Sequence, residues 1–99
     1  MEASKIGLDD VIVATADQVA AEVGDEVVIL NLRDEVYYGL GAVGARIWEL
    51  IQQPTPVRRI RDTVVAEYDV AEADAERDLL ELLAELAARG LVDVRGDAG

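Results

Sequence analysis

The side chains that most often perform catalysis are scarce in this 99-residue sequence. It contains no His and no Cys, so the commonest general base, the usual zinc ligands and the thiolate nucleophile are absent. Ser4 is its one serine and lies at the start of the chain. Carboxylates are plentiful, and six of the 21 recur on one predicted helix, as expected of a solvated surface. We therefore expect no catalytic residues, no metal site and no cofactor, and a binding domain instead of an enzyme.

One short glycine motif has the spacing of a phosphate-binding loop. Gly39, Gly41 and Gly44 form a literal G-x-G-x-x-G between a predicted strand and a predicted helix. Its surroundings do not fit a dinucleotide site, because the next element is another helix and no acidic strand end follows about 20 residues on. We expect the glycines to bend the strand-to-helix corner and let the helix pack closely. A small nucleotide-binding or enzymatic module is the minor alternative.

The composition indicates one small, folded and acidic domain. Hydrophobic residues make up 52% of the chain and charged residues 30%, a mixture typical of globular proteins. The net charge of −12 disfavours nucleic acid and anionic lipid surfaces and favours a basic peptide or protein partner. We expect a single domain over residues 1–99, with a core from about 8 to 95 and loose termini.

The sequence carries no signal for membrane insertion or export. No apolar stretch approaches the roughly 20 residues that span a bilayer. Residues 1–5 lack the basic start and apolar run of a signal peptide. The absence of Cys suits a reducing compartment, so we expect a cytoplasmic protein without membrane contact.

The pattern of residues predicts strands in the first half and helices in the second. Predicted strands span residues 11–15, 26–32 and 36–40, and the segment 18–23 fits either a strand or a helix. Predicted helices span residues 42–51, 56–68 with Thr55 as N-cap, and 71–89, before a short strand at 91–94. This order predicts an α+β fold in which a three-stranded antiparallel sheet is followed by three helices. It resembles a winged helix-turn-helix with the wing at the N-terminal end.

A winged helix raises the alternative of a transcriptional regulator. Arg58, Arg59 and Arg61 cluster on the second predicted helix and have the charge to contact phosphates. The third helix would enter a DNA groove, but its acidic residues outnumber Arg77 and Arg89; they are Glu72, Asp74, Glu76, Asp78, Glu81 and Glu85. Such a face repels DNA. We expect no nucleic-acid partner, and an arginine cluster that is a solvated face or part of a protein contact.

The last predicted strand, 36–40, is the best candidate for a binding site. If the strands pair in sequence order, it lies at a sheet edge, where an extended peptide can add as a further strand. Val36, Tyr38 and Leu40 would point to one side, and Tyr37 and Gly39 to the other. The tyrosines also fit an ordinary half-buried strand, so the strand by itself leaves both interpretations open. The third helix favours the groove, since its apolar arc is wider than one packing face needs. The stripe of Ala75, Asp78 and Leu82 flanks the main apolar spine of Leu79, Leu83 and Leu86.

Several segments between residues 27 and 94 form a familiar ordered set. They are the strand 27–32, YYGL at 37–40, VGARIWEL at 43–50, AEYDV at 66–70, DLLELLAEL at 78–86 and RGLV at 89–92. Together they resemble the PqqD-like family, the leader-binding domains or RiPP recognition elements of peptide natural-product pathways. VGARIWEL and EYDV look most like the stand-alone members of lasso-peptide clusters. Gly41 departs from the family, which usually has an Asn capping the first helix.

The resemblance implies a function and a site. In the family, the leader segment of a precursor peptide adds as an antiparallel strand to the strand before the first helix, in a groove against the third helix. Carried over, the site comprises Val36, Tyr37, Tyr38 and Gly39 on the strand, with Asp78 and Leu82 on the helix. Helical spacing alone adds Ala75, Arg77, Glu81 and Glu85 at the rim. The resemblance further implies a leader protease and an ATP-dependent cyclase as partners.

Overall fold

The computed structural model describes residues 6–16, 18–33 and 35–95. Over those residues the chain is α+β, which confirms the predicted fold class. The strands are β1 (Val11–Ala14), β2 (Gln18–Val23), β3 (Glu26–Asn31), β4 (Val36–Leu40), β5 (Thr55–Pro56) and β6 (Val92–Arg95). The helices are α1 (Ala42–Leu50), α2 (Val57–Glu67) and α3 (Glu72–Ala88). Ser4 and the chain start on which the export prediction rests lie outside the described residues.

The strands form two antiparallel sheets instead of one. One sheet has the order β2-β3-β4, so the strands predicted at 26–32 and 36–40 pair as expected, but the strand beside them is the segment 18–23 and not the one predicted at 11–15. The other has the order β5-β1-β6, which joins the first described strand to the last one. The three-stranded sheet followed by three helices is therefore present, and a second small sheet brings the two ends of the domain together. Pairing between such distant segments leaves no local signal in the sequence.

The ambiguous segment 18–23 is a strand. It pairs with β3 along its whole length, from Gln18 opposite Asn31 to Val23 opposite Glu26. The loop between them is only Gly24 and Asp25, and Gly24 has a φ of 65°. A glycine with positive φ at the first position of a two-residue loop is typical of a tight hairpin turn. The turn therefore favours a strand for segment 18–23, whereas the alanines of that segment also suit a helix.

The predicted N-cap of the second helix is wrong by one residue. Pro56 occupies the N-cap position of α2, and Thr55 belongs to β5, where it pairs with Ile12. The Thr55 hydroxyl lies 2.8 Å from the carbonyl oxygens of Leu50 and Gln53. The hydroxyl therefore donates to the backbone of the segment that follows α1, and it does not cap the first turn of α2.

An aliphatic core lies between the sheets and the helices. Side chains from both sheets and all three helices contribute to it: Ile12, Val27, Ile29, Leu40, Ile47, Trp48, Ile51, Val57, Ile60, Val64, Ala75, Leu79, Leu83, Leu86, Leu91 and Val92. On α3 the buried residues recur at helical spacing, which fixes the face that it turns to the core. Within the described ranges, no helix combines the length and apolar character needed to cross a membrane.

Candidate functional site

β4 forms one edge of the β2-β3-β4 sheet. Its side chains alternate as predicted: Leu40 is buried and Tyr38 half-buried on the inner face, while Tyr37 is 69% exposed on the outer face. Among the described residues β4 pairs with β3 alone, so its other side carries free backbone groups. An extended chain can therefore pair with β4 as a further strand of the sheet.

The register identifies which backbone groups face the open edge. Val23 and Glu26 close the two-residue turn and form a hydrogen-bonded pair, and such pairs alternate along an antiparallel ladder. The groups of Ile29 consequently point to β4, where Ile29 lies opposite Tyr38. By the same alternation, the N–H and C=O groups of Tyr37 and Gly39 point away from the sheet. These two residues supply the free ladder groups.

A groove of about 440 Å³ lies beside this edge, under the inner face of β4. Side chains of β4, α1, α2 and α3 and of the segment before α3 line it: Tyr38, Gly39, Leu40, Gly41, Val43, Gly44, Ile47, Val64, Val70, Asp74, Ala75, Asp78, Leu79 and Leu82. Nearly all of them are apolar, and Asp74 and Asp78 are the two carboxylates. The groove thus combines an apolar floor with an acidic margin, which is the combination expected from the sequence.

The acidic margin belongs to the first two turns of α3. The Arg77 guanidinium lies 3.3 Å from the Asp74 carboxylate and 3.4 Å from that of Asp78. All three side chains are largely exposed, so these ion pairs are weak and a charged ligand can replace them. This end of the groove is therefore able to bind a basic side chain.

A cluster around Tyr38 lies at the opposite end of the groove. The Arg89 guanidinium lies 5.1 Å from the centre of the Tyr38 ring, in a cation–π contact. The Arg89 side chain also lies 3.6 Å from the Glu85 carboxylate. Burial raises the pKa of the Tyr38 phenol, and the Glu85 carboxylate beside it raises that pKa further. The ring is therefore held as a neutral, oriented wall.

The predicted site residues divide into two groups. Tyr38, Gly39, Ala75, Asp78 and Leu82 line the groove. The remaining residues, Val36, Tyr37, Arg77, Glu81 and Glu85, are exposed around it. Sequence reasoning did not include the residues of α1, chiefly Val43 and Ile47, in the site. Their i, i+4 spacing marks one face of a helix, but only the fold shows that this face is shared between core and groove.

The glycine motif lies at the corner between β4 and α1. A Cβ added to Gly44 would lie 3.1 Å from the Cβ of Leu40, whereas Gly39 and Gly41 have open space around them. Gly44 therefore lets α1 approach the end of β4 closely, in line with the packing role expected for the motif. Gly41 caps α1 without a side-chain hydrogen bond, which fits the departure from the usual Asn.

Two of the three arginines in the cluster on α2, Arg58 and Arg61, are engaged with acidic residues. Arg61, whose side chain is 11% exposed, pairs with Asp62, Glu72 and Glu76. Arg58 pairs with Asp9. Charges neutralised in this way contribute little to phosphate binding. Arg58 and Arg61 therefore join α2 to neighbouring segments and do not support DNA recognition.

The comparisons with known proteins agree with this geometry. Residues 26–92 match the family model described as Coenzyme PQQ synthesis protein D (PqqD). The chain is similar to the solved structure of TbiB1 in complex with the TbiA(beta) leader peptide, with 40% identity, a TM-score of 0.76, and coverage of 82% of this chain and 94% of the other.

A second solved structure is lasso peptide synthetase B1 complexed with the leader peptide. It is 23% identical, with a TM-score of 0.74 and coverage of 83% of this chain and 96% of the other, and this likeness supports the fold alone. No curated protein sequence matches the chain. On the family match and the 40% identity to TbiB1, the chain belongs to the PqqD family.

Proposed function

We propose that this domain binds the leader segment of a ribosomally made precursor peptide by strand addition to β4, and presents it to processing enzymes of lasso-peptide maturation. The observation that carries the proposal is the open β4 edge directly beside an apolar groove lined by α3. Main-chain hydrogen bonds at such an edge supply affinity, and side-chain pockets beside it supply specificity. The likeness to TbiB1, solved with a leader peptide, supports the same assignment.

The groove also gives the bound leader a direction. An antiparallel leader would begin opposite Leu40, near the acidic first turns of α3, and run toward Val36. Its C-terminal part would therefore leave the groove past Tyr38 of β4 and past Arg89, which lies at the C-terminal end of α3. The core peptide follows the leader in such precursors, so it would extend freely from this end. Exit at an open end leaves the cleavage and cyclisation region accessible to enzymes.

The proposed role is that of a carrier without catalysis of its own. The leader protease and the ATP-dependent cyclase are its proposed functional partners, and the chemistry belongs to them. A cytoplasmic location follows as a proposal from the absence of Cys in the sequence.

Fluorescence polarisation with labelled TbiA(beta) leader peptide tests the proposal, because the 40%-identical TbiB1 was solved with that peptide. Where a short precursor reading frame lies beside this gene, the leader that it encodes serves as a second probe. Tyr37→Pro removes an N–H that faces the open edge, whereas Tyr37→Ala removes the same side chain and keeps the N–H. We expect the proline variant to bind at least about tenfold more weakly than the alanine variant.

Equal affinities of the two Tyr37 variants would exclude strand addition at β4. Absence of saturable binding of either leader to the wild-type domain would exclude the leader-binding function itself. Circular dichroism of both variants checks that the helices are unchanged.

A further inference from the structure

The other edge of the same sheet, β2, is also open. In the part of the chain that the structure describes, its one strand partner is β3. The alternation that directs Tyr37 and Gly39 outward on β4 likewise directs the N–H and C=O groups of Ala20 and Glu22 away from β3. Residues 19–23 are all exposed. They include a single charged residue and no Pro or Lys, so β2 lacks the features that usually block strand pairing at an edge.

A cleft of about 590 Å³ runs beside this edge, between the inner face of the β2–β3 hairpin and α1. Its floor contains Trp48 and Val27, which are buried in the core. Small side chains line both walls: Ala20 on the hairpin, and Ala42 and Ala45 on α1. Small walls leave room for the long side chains of an added strand. The cleft thus has the layout of the groove beside β4, an open edge next to a helix.

The two sites differ in charge. Four carboxylates lie around the cleft, from Glu22, Asp25, Glu26 and Glu49. The one cation among the described residues that line it, the Arg46 guanidinium, is held by Glu67 at 2.8 and 2.9 Å and by Glu49 at 2.9 Å.

Across the described ranges, no basic side chain forms an ion pair with Glu22, Asp25 or Glu26. The cleft therefore carries uncompensated negative charge, which is complementary to a basic ligand.

We propose that the β2 edge and its cleft bind a second extended segment, from a partner protein, in which basic and apolar side chains alternate. Side chains on the same face as Ala20 and Glu22 enter the cleft and are long and basic. Those on the opposite face continue the exposed apolar surface of Val19 and Val23, which are 53% and 62% exposed. A second copy of this chain is a poor occupant, since it brings its own net charge of −12.

α1 separates the two sites, because Val43 and Ile47 line the groove beside β4 while Ala45 and Arg46 line the cleft beside β2. Both edges can therefore be occupied at once, which would give a five-stranded sheet with two strands on either side of β3. A domain that carries a peptide on one edge and a partner on the other would bring the two together. The proposal about β2 does not depend on which peptide binds β4.

The probe for this site is a fluorescein-labelled peptide amide with the sequence Arg-Val-Arg-Val-Arg-Val. Its control is Arg-Arg-Arg-Val-Val-Val, which has the same composition and charge but lacks the alternation of a strand. At physiological ionic strength we expect the alternating peptide to bind the wild-type domain at least about fivefold more tightly. Equal affinities would mean general attraction to an acidic protein and would overturn the proposal.

Two pairs of variants locate the binding site. Ala20→Pro removes an outward N–H of β2, while Ala20→Ser keeps it, and we expect about a tenfold loss for the first alone. Glu22→Lys should weaken binding severalfold more than Asp93→Lys, which makes the same charge change on the exposed side of β6. Thermal unfolding of each variant checks that the fold is retained.

Competition and association distinguish the remaining outcomes. If a leader peptide displaces the alternating peptide, or if Tyr37→Pro abolishes its binding while Ala20→Pro does not, the peptide occupies β4 and the proposal is wrong. If sedimentation shows a dimer that Ala20→Pro dissociates, the occupant of β2 is a second copy and not a partner. Retained binding of the alternating peptide with a saturated β4 edge supports two separate sites. Failure of leader binding alone would affect the proposed function and leave this test intact.

Discussion

The side-chain amide of Asn31 donates a hydrogen bond of 2.9 Å from Nδ2 to the backbone carbonyl of Arg89. Its Oδ1 accepts a hydrogen bond of 2.8 Å from the backbone N–H of Arg33. Asn31 is buried at the end of β3, and Arg89 is the C-cap of α3. One side chain thus connects the sheet to the C-terminal end of the helix that lines the groove. The distance between β4 and α3 depends on this connection.

Replacement of this amide should destabilise the domain. Asn31→Asp keeps the size of the side chain but removes its donor, which leaves a buried carboxylate facing the Arg89 carbonyl. We expect a loss of about 1–3 kcal/mol in the free energy of unfolding, measured by urea denaturation at neutral pH. Gln53→Glu, the same exchange at an exposed position, is the control and should change stability by less than about 0.5 kcal/mol. Equal effects would show that the Asn31 bond does not hold α3.

A charge in the apolar groove should weaken leader binding. Val43 is 38% exposed and lines the groove, and Val94 is 40% exposed on β6, away from it. Val43→Lys places an ammonium where an apolar leader side chain would pack, so we expect about a tenfold loss of affinity. Val94→Lys makes the same exchange and should leave affinity unchanged. Fluorescence polarisation measures both, and a similar loss in the two variants would place the leader elsewhere.

A charge reversal at the acidic end tests whether α3 meets the leader. Asp78→Arg replaces a carboxylate at the groove margin, and we expect leader affinity to fall severalfold, with a weaker dependence on salt. Asp93→Arg gives the same change in net charge on β6 and should have little effect. Titrations at low and physiological ionic strength give both quantities. If Asp78→Arg retains wild-type affinity, the groove does not receive the leader.

Alkaline pH should destabilise the domain through the phenol of Tyr38. The pKa of its phenol is raised above the ordinary value of 10.0, first by burial and then by Glu85, while Arg89 acts in the opposite direction. Because the folded-state pKa is the higher one, the stabilisation is fully present below pH 10.0 and is lost as the pH rises through the folded-state value. Unfolding free energies measured across this range should decline less for Tyr38→Phe than for the wild type. Equal declines in the two proteins would show that the Tyr38 phenol does not cause this pH dependence.

The sequence by itself determined much of the fold. Period-two and helical patterns placed the hairpin 26–40 and the three helices, because each pattern reports which face of an element avoids water. It also identified the strand at 36–40 as an edge, since three strands that pair in order must leave the last one open. The conformation of segment 18–23 became clear only from the tight turn that follows it. The pairing of β1 with β6 depends on the fold of the whole chain. Local residue preferences carry no information about partners some eighty residues away.

For the site, the sequence placed Tyr38, Asp78 and Leu82 on the elements that face each other. The tertiary structure decided what lies between them. Val43 and Ile47 join the groove only because Gly44 lets α1 pack against Leu40. The register of β3 selects Tyr37 and Gly39 as the residues with free ladder groups. Patterns along a chain specify which face of an element is apolar, whereas a groove exists only where the faces of several elements remain apart after packing.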